Sequence, residues 1–221
     1  MPGVTQDPLC PRCGSDVEAP GLMSNEWRCT RHGAISPLHA PVALTQELVQ
    51  QVAGRAGVPV WFPWPLPAGW VLTGAMLAGD ERAPSVAAAM ICSGPGPRGG
   101  PAELVFVSEE PGVGLGAGYA GLVGPDSGSS VLDRPPSARV IVAHHEVPLW
   151  EIGGPTDRSV YVGEAEGRWI WAIAWPTEVG LVLHDDLTLV DLRDPGHPLD
   201  LPLGAMSPRW CPTGVHAGDA E

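Results

Sequence analysis

Two pairs of metal-ligand residues near the N-terminus constrain the fold more than any other feature of this chain. In each pair two residues separate the ligands, and the set is Cys10, Cys13, Cys29 and His32. Gly14 and Gly33 directly follow the pairs, where a left-handed residue closes such a turn. The spacing predicts two knuckles that hold one structural zinc ion tetrahedrally, with no coordination position left for a substrate.

The segment between the two pairs is too poor in apolar residues to fold by itself. It offers Val17, Leu22, Met23 and Trp27, whereas structural zinc contributes on the order of 10 to 16 kcal/mol to such modules. We therefore expect residues 1–40 to form a zinc ribbon that melts without its metal. His39 is a rival to His32 as fourth ligand, but it lacks the two-residue spacing.

Composition limits the partners of the chain. The 221 residues carry a formal net charge of −13, and all twelve basic residues are Arg. Phosphate backbones bind cationic surfaces, so this balance does not favour nucleic acid. No apolar run is long enough to span a membrane, and no signal peptide is recognisable. Three of five cysteines belong to the metal pairs, while Cys92 and Cys211 stand alone, which predicts a reducing, cytoplasmic location.

Residues 41–68 are predicted to join the zinc ribbon to the main domain. Apolar residues at spacings of three and four from Leu44 to Ala56 indicate a short amphipathic helix, with Thr45 as N-cap and Gly57 as terminator. Its narrow apolar stripe suits packing on the main domain better than binding a partner.

A segment rich in Pro and Trp, residues 58–70, follows that helix. Its prolines forbid a helix or a central strand, so it must run extended. Trp61, Trp64 and Trp70 either form a recognition surface on a stiff backbone or cover the edge of the β domain, and we favour the second.

Residues 69–210 are predicted to form a β-rich main domain, followed by a flexible tail at 211–221. Seven strand-like runs are separated by turns, with Glu166-Gly167 as a tight hairpin turn. Residues 179–193 suit helix or strand, and we favour strand. The fold class is thus α+β, with a mainly antiparallel sheet. The runs cover 70–78, 86–93, 104–108, 139–143, 147–152, 160–165 and 169–175.

The run from Trp169 to Trp175 is apolar on both faces. Alternation puts Trp169, Trp171, Ile173 and Trp175 on one side, with small or branched residues on the other. A strand of this kind is central and covered twice, so we place these indoles in the core rather than in a stacking platform for sugars or bases.

Candidate catalytic chemistry is sparse. Gly116-Ala-Gly118-Tyr-Ala-Gly121 matches a dinucleotide fingerprint, but it follows its strand late and is not expected to open a helix. The Gly-rich loop 93–100 with Arg98 could wrap an anion or simply connect two strands. His144-His145-Glu146 and His184-Asp185-Asp186 could supply an acid–base pair or a second metal site, and surface loops are the simpler interpretation. We therefore predict no catalytic and no cofactor-binding residues.

Several segments together resemble an uncharacterised family of actinobacterial proteins. They are CPRCG, CTRHG, VPVWFPWPLPAGW, GVGLGAGYAG, RWIWAIAWP and DLTLVDLRD. The resemblance spans nearly the whole chain and implies a cytoplasmic protein with a zinc ribbon head and unknown activity.

Two functional hypotheses follow. In the first, the chain is a zinc-binding adaptor or regulator whose ribbon supports structure or docks a protein partner; its small-molecule ligand, if one exists, is not identifiable from sequence. In the second, the β-rich domain is a small transferase or hydrolase, for acyl or phosphoryl transfer, that uses the Gly-rich loops. A pocket joining Arg98 to His144 or His184 would support the second hypothesis.

Overall fold

The computed structural model describes residues 7–22, 24–124, 134–184, 187–196 and 200–210. Within these ranges, two α-helices, α1 (Gln46–Arg55) and α2 (Leu115–Ala120), and one 3₁₀ helix (Thr177–His184) accompany twelve strands. The first six strands are β1 (Trp27–Cys29), β2 (Gly33–Ile35), β3 (Leu38–His39), β4 (Trp61–Pro63), β5 (Val71–Ala78) and β6 (Ala87–Pro95). The other six are β7 (Pro101–Glu109), β8 (Ala138–Val142), β9 (His145–Ile152), β10 (Ser159–Ala165), β11 (Arg168–Trp175) and β12 (Thr188–Asp191).

Ten of these strands form one sheet, in the order β3-β5-β6-β7-β11-β10-β9-β8-β12-β4. All neighbours pair antiparallel except β8 and β12. The seven predicted strands correspond to β5 to β11 and are confirmed. Glu166 and Gly167 both have positive φ, at 54° and 72°, so the predicted tight hairpin between β10 and β11 is also confirmed.

Two apolar clusters lie on opposite sides of the sheet, and β11 separates them. Trp171 and Ile173 belong to one cluster, whereas Ile170, Ala172 and Ala174 belong to the other. The predicted two-sided burial of this strand is therefore confirmed, and Trp171 is a core residue with no exposed surface. With β7 and β10 as its neighbours, β11 occupies the middle of the sheet.

Helix α1 covers one face of the large sheet, and the Pro- and Trp-rich segment covers one edge of it. Thr45 caps α1 by accepting a bond from the N–H of Leu48 at 3.2 Å, and Val49 and Val52 are buried in the core as predicted. Strand β4 is the last strand of the sheet and pairs with β12. Trp61 within it is 2% exposed, which supports its role in covering the sheet edge.

Two helical segments differ from the sequence-based expectation. Residues 177–184 form a 3₁₀ helix rather than strand, and only β12 realises the predicted strand in the region 179–193. The segment 115–120, for which no helix was expected, forms α2. Gly116 lies against the indole of Trp171 and Gly118 against Pro11, so this helix owes its place to close packing that a side chain would block.

The N-terminal region is Cys-rich and is joined to the large sheet. Its hairpin β1–β2 stands apart, but β3 pairs with β5, and Leu9 exchanges backbone bonds with Leu38. The predicted domain boundaries stay predictions, and the predicted tail at 211–221 lies outside the described residues, as does Cys211. In the part of the chain that the structure describes, none of the helices has the length and apolarity needed to cross a membrane.

Candidate metal centre

The first knuckle is a tight turn that starts at Cys10. The N–H of Gly14 donates to the carbonyl of Cys10 at 2.8 Å, and Gly14 adopts φ 66°. The N–H of Cys10 in turn donates to the carbonyl of Ser15 at 2.8 Å. These bonds place the Cys10 and Cys13 side chains on the same side of the turn, as the prediction of a knuckle requires.

The second knuckle connects β1 to β2. Cys29 ends β1 and faces Gly33, which begins β2 with φ 68°. The turn between them carries His32, so the hairpin register sets the distance from the imidazole to the Cys29 thiol. Glycine is required at position 33 because other residues rarely adopt this left-handed conformation.

The structure brings the four predicted ligands together. Their ligand atoms all lie within 4.8 Å of one another. Sγ of Cys13 lies 3.8 Å from Sγ of Cys29, and Nδ1 of His32 lies 3.4 Å from Sγ of Cys10 and 3.7 Å from Sγ of Cys29. Tetrahedral zinc, with Zn–S of about 2.3 Å, requires sulfurs about 3.8 Å apart and nitrogen–sulfur distances of about 3.6 Å. The donor set therefore fits a tetrahedral ion.

The electrostatics of the thiols depend on burial and on backbone N–H groups. Burial raises the pKa of the Cys10 thiol to about 12 when no cation is present, although the N–H groups of Arg12 and Cys13 oppose this shift. At Cys29 burial also raises the pKa, but the N–H groups of Arg31 and His32 contribute to a net lowering. A thiol binds a metal as the thiolate, so metal binding at Cys10 would be coupled to release of its proton.

His39, the rival ligand, has a different partner. Its Nε2 donates to the carbonyl of Gly79 at 3.0 Å, and its Nδ1 lies 4.0 Å from the Glu81 carboxylate. The histidine thus fixes β3 to the turn after β5. All three cysteines of the cluster have free thiols.

The Cys-rich N-terminal region contacts the main domain through the first knuckle. Nε of Arg12 donates to the carbonyl of Val113 at 3.1 Å, and its Nη2 donates to the carbonyl of Gly112. The backbone of Pro11 lies directly against Gly118 of α2. Sequence reasoning missed this role of Arg12, because its partners lie about 100 residues away and are backbone carbonyls without a side-chain signature.

The dinucleotide fingerprint is occupied by the protein itself. The Glu109 carboxylate accepts bonds from the N–H groups of Leu115 at 2.7 Å and Gly116 at 3.2 Å, at the start of α2. A phosphate would meet a negative charge where the motif needs free N–H donors. The glycines allow the close packing of α2, and the expectation that this motif opens no helix was wrong.

The other candidate residues lie in hairpin tips and at a helix end. Arg98 is exposed in the turn between β6 and β7, where Gly96 bonds to Gly100, so the loop 93–100 connects two paired strands. His144 lies in the turn between β8 and β9, and the His184 ring packs edge-on against Tyr161. Asp185 and Asp186 lie outside the described residues. The cleft beside α1 and the cleft beside β2 are both lined by residues other than Arg98, His144 and His184.

A buried polar network at the C-terminal end of the described chain also escaped prediction. Glu103, 8% exposed, accepts bonds from Ser93 at 3.3 Å and from Ser207, and forms an ion pair with Nε of Arg209 at 3.2 Å. The Arg209 guanidinium lies 3.4 Å from the ring centre of Trp175. This network attaches residues 207–209 to the sheet. Its members are far apart in sequence, so no local pattern predicts it.

Fold and site together define a class: mostly β-sheet proteins with one large, mainly antiparallel sheet and an N-terminal Cys3His cluster able to hold a metal ion. The chain belongs to the family of unknown function DUF6758, whose model matches residues 4–210 and so covers nearly the whole chain. No curated protein and no solved structure matches it.

Proposed function

We propose that this protein is a zinc-binding adaptor or regulator of the cytoplasm, with a zinc ribbon at residues 1–40 that docks a protein partner. The observation that carries the proposal is the closed Cys3His set. Four protein ligands satisfy tetrahedral zinc and leave no position for substrate, as in structural sites. Free thiols at the described cysteines support a reducing compartment, and a chain without Lys suits a GC-rich actinobacterial host.

The contacts of Pro11 and Arg12 with the main domain support a docking role. Zinc fixes the backbone of Pro11 and Arg12, which in turn contact the loop 112–113 and α2. The metal therefore holds the partly exposed hairpin β1–β2 at one orientation relative to the sheet. A preorganised surface loses less entropy when a partner binds. The residues proposed for the enzymatic alternative, acyl or phosphoryl transfer, are spread over two hairpin turns, with Arg98 and His144, and a helix end, with His184.

The proposal is tested by metal content and by capture of partners from the native host. The purified chain should contain about one zinc per molecule. A Cys10→Ser/Cys13→Ser variant should lose both the metal and any partner that the wild-type chain retains. Cys92→Ala is the matched control, because Cys92 is buried in the main core away from the cluster. Capture that is unaffected by loss of zinc, or failure of either bait to retain a specific protein, would contradict the docking role.

A further inference from the structure

The outer edge of β2 carries one donor and one acceptor that face away from its partner strand. Arg28, the middle residue of β1, exchanges both backbone bonds with Glu18, at 3.0 and 2.8 Å. Arg28 also faces Ala34 across the hairpin. That pair is therefore of the non-hydrogen-bonded kind, and the N–H and C=O of Ala34 point away from β1. Among the described residues, no further strand pairs with β2.

This edge borders an open cleft of about 460 Å³ between the Cys-rich N-terminal region and the main domain. Ala34, Ile35 and Ser36 line one side, and Val86, Pro111 and Gly112 lie among the residues that line the cleft from the main domain. Its volume is within the range of ligand-binding clefts in proteins. An unpaired strand edge beside such a cleft is suited to accept one more strand.

The charge of the cleft indicates which strand would fit. Its lining includes the carboxylates of Glu26, Asp80 and Glu110, and its one cation, Arg12, already donates to two backbone carbonyls. Glu26 and Glu110 have arginine partners outside the lining. The pair of Glu26 is solvent-exposed and that of Glu110 is partly exposed. Such pairs are weak, so an incoming cation can compete for the carboxylates.

We propose that an extended, basic segment of a partner protein binds in this cleft as an added strand beside β2. Its backbone pairs with the N–H and C=O of Ala34, and its Lys or Arg side chains reach the carboxylates of the cleft. The inference rests on the proposed docking function and specifies its surface. Because the knuckle at Cys29 and His32 holds β2, the edge is presented only when the metal is bound.

Fluorescent nonapeptides test this directly against the full zinc-loaded chain. Three probes alternate Val with Lys, with Ser or with Glu, and binding is followed by fluorescence anisotropy. We expect the Lys peptide to bind about tenfold more tightly than the Glu peptide, and this difference to shrink at high salt. Equal binding of the Lys and Glu peptides would overturn the assignment of a basic partner.

Two substitutions at one position separate backbone pairing from general stickiness. Ala34→Pro removes the N–H donor and should weaken binding of the Lys peptide about tenfold or more. Ala34→Val keeps the donor and should bind within about twofold of wild type. Zinc content verifies that both variants retain the head. Unchanged affinity of the Pro variant would overturn the strand addition.

Charge variants and oligomeric state complete the test. The double variant Glu26→Gln/Asp80→Asn should bind the Lys peptide more weakly than the wild type does and the Ser peptide with unchanged affinity. A dimer in analytical ultracentrifugation that Ala34→Pro abolishes would assign the edge to a second copy and overturn the proposal. If no peptide binds while native partner capture still depends on the cysteine ligands, this inference fails and the proposed docking function stands.

Discussion

The contact between α2 and the first knuckle makes Gly118→Ala an informative change. A Cβ at this position would overlap the carbonyl oxygen of Pro11 and lie 3.3 Å from Cα and O of Arg12. Real Cβ atoms essentially never approach a backbone atom within 3.0 Å, so the knuckle must move by roughly half an ångström or more. The bonds of Arg12 to the loop 112–113 oppose this movement, and a metal ion held by the knuckle would oppose it as well.

Two effects of opposite sign determine the magnitude. Ala gains up to about 1 kcal/mol over Gly in a helix, whereas overpacking against a constrained backbone costs about 1 to 3 kcal/mol. We expect a net loss of about 1 kcal/mol in the free energy of unfolding, and a lowering of Tm by about 2 to 4 °C for a chain of this size. Release of zinc to a chelator should also become faster.

Urea and thermal unfolding measure the effect, with Gly54→Ala as the matched control. Gly54 lies in α1, is exposed, and has nothing within 4 Å of an added Cβ. Alanine there should stabilise the protein by about 0.5 to 1 kcal/mol. If Gly118→Ala raises stability as much as Gly54→Ala does, the close contact of Gly118 with the first knuckle does not limit the size of the residue at position 118.

Chelation or acid should remove about one zinc per chain, because the ligands bind metal deprotonated and affinity falls as pH falls. Loss of hydrogen-exchange protection should be confined to residues 1–40, and global unfolding would contradict this prediction. Ala143 and His144 form the turn between β8 and β9 with positive φ, at 48° and 68°. Replacing them by Asn-Gly, which adopts such φ values readily, should raise the free energy of urea unfolding by about 1 kcal/mol, and a decrease would argue against a type I′ turn. Arg209→Met should lower the free energy of urea unfolding by about 1 to 3 kcal/mol, because it leaves the buried Glu103 carboxylate without its cation. An unchanged value would mean that the hydrogen bonds from Ser93 and Ser207 are enough to stabilise this carboxylate. Burial raises the pKa of the Cys92 thiol, so mapping of native alkylation sites should find Cys92 unmodified, and rapid labelling would refute its burial.

Local signals in the sequence predicted the features that depend on neighbouring residues. The ligand spacing at Cys10 and Cys29 gave a cluster because each knuckle closes within five residues. Alternation along 169–175 predicted a strand buried on both faces, since side chains of a strand necessarily alternate. The seven strands of the sheet's centre were found for the same reason.

Features that depend on distant contacts left no such signal. Helix α2 has only six residues and two of them are Gly, which disfavours a helix, while Trp171 and Pro11, which pack against it, are distant in sequence. Arg12 and Glu103 look like ordinary surface charges in sequence, and only the fold gives them buried or distant partners. The 3₁₀ helix at 177–184 has apolar spacing that suits several conformations, so tertiary contacts decide it.

Both outer strands of the large sheet come from the beginning of the chain. Leu38–His39 lies at one end and Trp61–Pro63 at the other, with α1 between them in sequence. During synthesis on the ribosome, β4 emerges long before β12, its partner at residues 188–191. The Cys-rich hairpin β1–β2 can form early, whereas strand β4 pairs with β12 only after nearly the entire chain has been made. Such distant pairing slows folding and leaves apolar surface open to chaperones in the interval.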